Sequence, residues 1–150
     1  MNTTDCFACT QTAAAALPDR EQVVRTEHWR VAHAFDSALA GWLVFLPTRH
    51  VTSFAELTEA AAAEVGPMLL GLSRALQKVV GCVKTYQMMF AEAEGFSHLH
   101  IHLVPRAADL APELIGPNVF GYLKHPREEW VPTERMDELA RELRAALPEE

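Results

Sequence analysis

Long apolar runs are missing from this chain of 150 residues, and so is any excess of positive charge. A helix that crosses a bilayer needs about 20 consecutive apolar residues, and no stretch here reaches that, so no membrane partner is expected. The short apolar stretch at residues 13–17 has no basic region before it, so no secretory signal is read there and the cytoplasm is the expected compartment. Lys and Arg number 13 against 20 Asp and Glu, a formal net charge of -7. Such a balance argues against a non-specific grip on nucleic acid, which needs a basic face; one local cluster can still hold a small anion. Cysteine is scarce, three in all. In a cytoplasmic setting these are thiols or metal ligands rather than disulfide partners. With no internal repeat and no low-complexity linker, residues 1–150 read as a single domain with room for a real core.

The pattern along the chain is strands, a long helix, strands, and a helix. Residues 23–26 and 29–34 read as short strands, and Gly41 opens a buried strand over 42–47. Ser53 and Glu56 have the spacing of a capping box, and Thr58 is placed to cap a helix over Glu59–Val80, rich in Ala, Leu, Glu, Lys and Gln. Gly66-Pro67 is expected to kink or split that helix, and Gly81 to end it. Residues 83–92 and 98–104 read as strands, the second stopped by Pro105. Thr133 is expected to cap a final amphipathic helix carrying Met136, Leu139, Leu143 and Leu147 at helical spacing. The predicted class is α+β, with an antiparallel sheet and helices on one face.

The most informative segment is Ser97-His98-Leu99-His100-Ile101-His102-Leu103-Val104-Pro105-Arg106. In extended chain, alternate side chains share a face. His98, His100 and His102 therefore face one way, while Leu99, Ile101 and Leu103 face the core. Crowded imidazoles resist joint protonation, which keeps a nitrogen free as nucleophile or metal ligand. Cys6-Phe7-Ala8-Cys9 is the second constellation. It precedes every predicted strand, which disfavours a redox motif set between strand and helix. Zinc accepts mixed sulfur and nitrogen ligands, and histidines can complete such a set. Cys82 reads as a core residue.

These residues resemble the histidine-triad (HIT) family, whose motif is His-x-His-x-His followed by apolar residues. The segment Gly41-Trp42-Leu43-Val44-Phe45-Leu46-Pro47-Thr48-Arg49-His50 is similar to the family's strand ending in Pro-x-x-His, and Cys6-x-x-Cys9 to that of zinc-bearing bacterial members. The likeness covers residues 5–106; residues 107–150 are a variable C-terminal loop and helix. It implies a HIT-like fold with about five antiparallel strands, one long helix and a C-terminal helix. It also implies structural zinc on Cys6, Cys9, His50 and His98. His100 would then be the nucleophile, and His102 would donate a hydrogen bond to the phosphate or leaving group.

The implied activity is hydrolysis at the α-phosphate of a nucleoside phosphoramidate or dinucleoside polyphosphate through a nucleotidyl-histidine. Alternatives are a nucleotidyltransferase or phosphorylase of the same superfamily, in which glutamine usually replaces the third histidine, and a zinc-stabilised nucleotide-binding module with little catalysis. Ser97, His33, Phe35 and Trp29 are the expected substrate contacts. The ribose-binding acid of many members falls at Ala34 here, with Asp36 close by, and the polar turn before the triad is replaced by the acidic stretch around Glu92 and Glu94. Family members commonly pair as homodimers, for which Met68, Leu69, Leu72, Leu76 and Val80 offer an apolar segment. The cluster Lys124-His125-Pro126-Arg127 reads as exposed loop charge.

Overall fold

A computed structural model describes residues 5–148, so the two extreme ends of the expected 1–150 domain lie outside the described residues. Its centre is a five-stranded antiparallel sheet in the order β1-β2-β3-β5-β4. The strands are β1 (Val24–Arg25), β2 (Trp29–His33), β3 (Leu43–Pro47), β4 (Lys84–Met88) and β5 (Ile101–Arg106). Three α-helices accompany it: α1 (Phe7–Ala13), α2 (Glu59–Val80) and α3 (Thr133–Ala146). Among the described residues no helix is long and apolar enough to cross a membrane.

One face of the sheet packs on α2 and α3. Val31, Leu43, Phe45, Ile101 and Leu103 meet Leu72, Leu76, Ala140 and Leu143 in one continuous core, which also takes in Cys82. The apolar residues of α2, which could serve a dimer face or equally the core, are largely taken up by the core. Leu72 and Leu76 are buried, and Met68, Leu69 and Val80 pack against the same core.

Local signals set the ends of α2 as read. The Thr58 side chain accepts the Ala61 N–H, and Gly81 closes the helix with a left-handed φ of 74°. Gly66-Pro67 does not split it: the helix runs unbroken for 22 residues. Pro67 and Ala63 both lie on the solvent side, so the carbonyl left unbonded by the missing N–H faces water. Pro105 likewise does not stop β5. Pairing with β3 ends at Leu43↔Leu103, two residues earlier, so the proline removes no ladder bond on that side. The strand predicted over residues 83–92 ends at Met88, because its partner β5 begins close by, with Met88 opposite His102. The last helix is capped at Pro132, with Thr133 as its first residue. α1 has no amphipathic signal. It forms because the Cys6 sulfur accepts the Cys9 N–H at 3.4 Å, as a capping oxygen would.

Gly41 fixes how β2 turns into β3. Its φ is 93°, and a Cβ there would stand 3.2 Å from Leu76 Cδ2 and 3.3 Å from Pro105 Cγ. Both the backbone conformation and the space favour glycine. Gly41→Ala should therefore lower unfolding stability by about 2 kcal/mol, read as a reduced urea midpoint at unchanged slope.

Candidate active site and metal centre

The other face of the sheet is the floor of a cavity of about 440 Å³. Ala32 and Ala34, Val44 and Leu46, and His100 and His102 line it from three adjacent strands or their approaches. Phe7 and Phe35 with Phe96 form its rim, their ring centroids 5.4 to 6.3 Å apart. Phe120 and Leu123 close one end, and Glu21 and Arg30 line it from the side of β1 and β2.

The three histidines alternate as expected, with Leu99, Ile101 and Leu103 buried beneath them. His98 and His100 lie in the extended approach to β5 rather than in the strand itself. The Leu99 N–H donates to Val51 O at 2.8 Å and holds that approach in place.

His98 belongs to a different cluster from the other two. Its Nδ1 lies 3.4 Å from Cys6 Sγ, 3.6 Å from Cys9 Sγ and 3.1 Å from His50 Nδ1, and Cys9 Sγ is 3.4 Å from His50 Nδ1. All four ligand atoms lie within 4.8 Å of one another. Zinc–sulfur bonds near 2.3 Å and zinc–nitrogen bonds near 2.0–2.1 Å, set in a tetrahedron, place sulfur and nitrogen about 3.5 Å apart and two nitrogens about 3.3 Å apart. The donor set therefore has the chemistry of a zinc site, and these four separations are close to those of a tetrahedron. His98 Nε2–H donates to Pro47 O at 2.9 Å, which leaves its Nδ1 lone pair for the metal. Without a cation, burial and the neighbouring Cys6 thiol push Cys9 up to about 11; a divalent ion at the cluster reverses that preference and holds both sulfurs as thiolates. Four protein ligands fill the coordination shell, so this is a structural zinc site that ties α1 to the start of the triad.

His100 Nδ1–H donates to His98 O at 2.8 Å. Its Nε2 therefore carries a lone pair toward the cavity. His102 has the opposite arrangement. The indole Nε1–H of Trp42, a group that can only donate, reaches His102 Nδ1 at 3.0 Å. The proton of neutral His102 must then sit on Nε2. Burial, with His100 close by, pushes His102 down to about 4, so it is neutral at physiological pH. Trp42 and Phe120 enclose its ring, with centroids 5.6 and 5.1 Å away, and the His100 ring lies 4.9 Å off.

The other expected substrate contacts divide. Phe35 is half exposed on the rim, and Asp36 lies beside it on the cavity wall with a positive φ of 54°. Ser97 stands between two wall residues, Phe96 and His98. His33 reaches the wall, but both ring nitrogens are engaged with backbone. Its Nδ1–H donates to Ala34 O and its Nε2 accepts the Gly41 N–H, each at 2.9 Å. Trp29 is a correction. Its indole is fully buried on the opposite face, donates to Ala61 O at 2.8 Å, and does not line the cavity. Glu92 and Glu94 are exposed and off the wall, while Ala93 and Gly95 are on it. In the C-terminal basic cluster, His125 sits 3.7 Å from Glu129 and Arg127 lies over Trp130. Sequence reading missed Trp42 as the donor to His102, Phe120 as its cover, and the Glu21–Arg30 pair. The one legible signal was a charged Arg30 in an otherwise apolar strand, two residues from Ala32.

No family model and no curated protein matches this chain. Solved structures do. A zinc-bound histidine triad family protein from Mycobacterium smegmatis superimposes with a TM-score of 0.67 at 16% identity, covering 97% of this chain and 94% of that one. A hypothetical histidine triad nucleotide-binding protein from Sulfolobus tokodaii gives 0.69 at 15% identity, over 94% and 91%. A histidine triad protein from Bradyrhizobium japonicum gives 0.68 at 21% identity, over 87% and 92%. The fold is thus the α+β fold of histidine-triad proteins, here with a Cys2His2 zinc centre.

Metal analysis of protein purified without a histidine tag should return about one zinc per chain. A Cys6→Ser/Cys9→Ser variant should lose it and melt at lower temperature. A second expectation concerns protons. Burial holds His33, like His102, down at about 4. Nitrogen NMR at pH 5.5 should therefore find both rings neutral, Nδ1–H in His33 and Nε2–H in His102. A histidine depressed on folding stabilises the native state above its unfolded value near 6.5. That contribution is lost as pH falls from about 6.5 toward 4, so acid should erode stability over this window.

Proposed function

We propose that this protein is a nucleotide hydrolase that cleaves at the α-phosphate through a nucleotidyl-histidine on His100. The observation that carries the reading is the pair of opposite tautomers. His100 offers a lone pair on Nε2, and its neighbour His102 offers a proton-bearing Nε2 into the same cavity. One is arranged as a nucleophile and the other as a donor to phosphoryl oxygen or leaving group.

The steps balance on these two rings. The Nε2 lone pair of His100 forms a bond to phosphorus as the bond to the leaving group breaks, and the bonding electrons depart with that group. The nucleotidylated ring is cationic, and its Nδ1–H points at the His98 carbonyl, which stabilises the charge. Water then bonds to phosphorus and releases a proton to solvent, offsetting the one the departed group takes up there, while the phosphorus–nitrogen bond breaks and its electron pair returns to Nε2. The zinc centre supplies no chemistry to these steps. It fixes His98, whose carbonyl orients the nucleophile.

A nucleoside phosphoramidate or a dinucleoside polyphosphate is the substrate class, with a cytoplasmic setting and a homodimer as further parts of the reading. Apolar walls from Phe35, Val44 and Leu46 suit a base and sugar. The shared fold of the hypothetical histidine triad nucleotide-binding protein from Sulfolobus tokodaii is in line with this.

Incubation with adenosine 5′-phosphoramidate and acid-free quenching should leave a fraction of the protein heavier by one nucleotidyl group, located on His100. His100→Ala should lose that adduct and reduce kcat/KM at least about 10³-fold. Undiminished turnover in His100→Ala across a nucleotide panel would discard the covalent route.

A further inference from the structure

Several polar side chains around the cavity are engaged from within, though the Asp36 carboxylate on its wall is not among them. His33 is engaged at both nitrogens. Arg30 is 1% exposed, and its guanidinium donates from Nε to Thr12 Oγ1 at 3.1 Å, from Nη1 to Glu21 O at 3.0 Å and from Nη2 to Ala8 O at 3.5 Å. At the phosphoryl end, the free capacity is the His100 lone pair and the His102 Nε2–H. At the far end it is the Glu21 carboxylate. That group accepts one bond from Gln11 Nε2 at 3.3 Å and lies 3.8 Å from Arg30 Nη1. A carboxylate has about four acceptor positions, so Glu21 keeps acceptor capacity to offer at this end of the cavity.

The sheet gives the distance between the two ends. Arg30 is opposite Leu46, and Phe45 is opposite Ile101, so continuing the register sets Leu46 beside His100. Arg30 is therefore two strands across from the nucleophile, roughly 10 Å. The floor between them is apolar, formed by Leu46 with Val44 and Ala32. A ligand that fits has phosphorus at one end, a flat apolar body, and an N–H at the other. That is the layout of an aminopurine nucleotide.

We propose that Glu21 determines base specificity by accepting a hydrogen bond from the exocyclic amino group of a purine. The proposal rests on the nucleotide reading above and extends it to the kind of base. Burial raises Glu21 even with Arg30 at hand, so a further N–H from the ligand helps to hold the carboxylate charged. Arg30 sets the position of Glu21 and, being 1% exposed with donors directed at Thr12, Glu21 O and Ala8 O, leaves the carboxylate as the reading group.

The test compares AMP with purine riboside 5′-monophosphate, which differs from it only by lacking the amino group. Calorimetry on the zinc-loaded protein should show AMP binding about tenfold more tightly. Glu21→Met should bring the ratio of the two affinities close to one, and Glu21→Gln, which keeps one acceptor oxygen, should leave it intermediate. If Glu21→Met fails to fold, the Glu21→Gln ratio decides alone. Equal wild-type affinities, or a ratio that neither variant changes, would overturn the proposal. Binding is read apart from turnover, so the two readings separate. Selectivity without any His100 adduct would remove the hydrolase and keep the base reader. An adduct without selectivity would do the reverse, and failure of both nucleotides to bind would remove both.

Discussion

His98 does two jobs with two parts of one residue, and the arrangement of the site depends on it. Its ring joins the sulfur and nitrogen donors of the metal centre, held by Nε2–H to Pro47 O, while its main-chain oxygen accepts Nδ1–H of His100. The ring of the first triad histidine is thereby held in the metal centre, and its carbonyl is a mount for the second. α1 is tied in by the same centre through Cys6 and Cys9, which also carries Phe7 to the cavity rim. A short helix with few core contacts of its own is thus fixed by coordination rather than by apolar burial.

The sheet separates support from chemistry. Its helix-covered face holds the large core, and its open face presents side chains at period two. That alternation puts the histidines on the opposite side from Leu99, Ile101 and Leu103. A slip of one residue would bury the imidazoles and expose the leucines. Register is therefore held from several directions: by β3 and β4, by the Val51 carbonyl, and by the approach of Leu76 and Pro105 that only a glycine at position 41 leaves free of strain.

Much of this was legible in the sequence because it depends on local spacing. Alternating His and apolar residues define a face, Thr58 and Gly81 bracket a helix, and Cys-x-x-Cys announces a ligand pair. The rest depends on contacts between distant segments, which carry no period. Nothing near Trp42 shows that its indole meets His102, 60 positions later, or that Phe120 covers the same ring. Trp29 looked like a pocket wall because aromatic residues serve either face of a sheet equally well; only the packing of α2 decides the matter. Proline neither splits the helix at Pro67 nor stops the strand at Pro105, for a common reason. Its cost comes from the hydrogen bond that it removes, and in each place there was no buried bond to lose.

The Trp42–His102 contact has a consequence for the flow of protons. An indole N–H donates and never accepts, so His102 cannot move its proton from one nitrogen to the other. Surrendering the Nε2 proton would leave an imidazolate, and taking a second requires acidity near pH 4. The residue is locked as a rigid dipole. In the proposed hydrolysis it would steady charge on a departing group but could not serve as that group's acid. Any hydrogen that group acquired would then have to come with the substrate or from solvent, past the three phenylalanines of the rim.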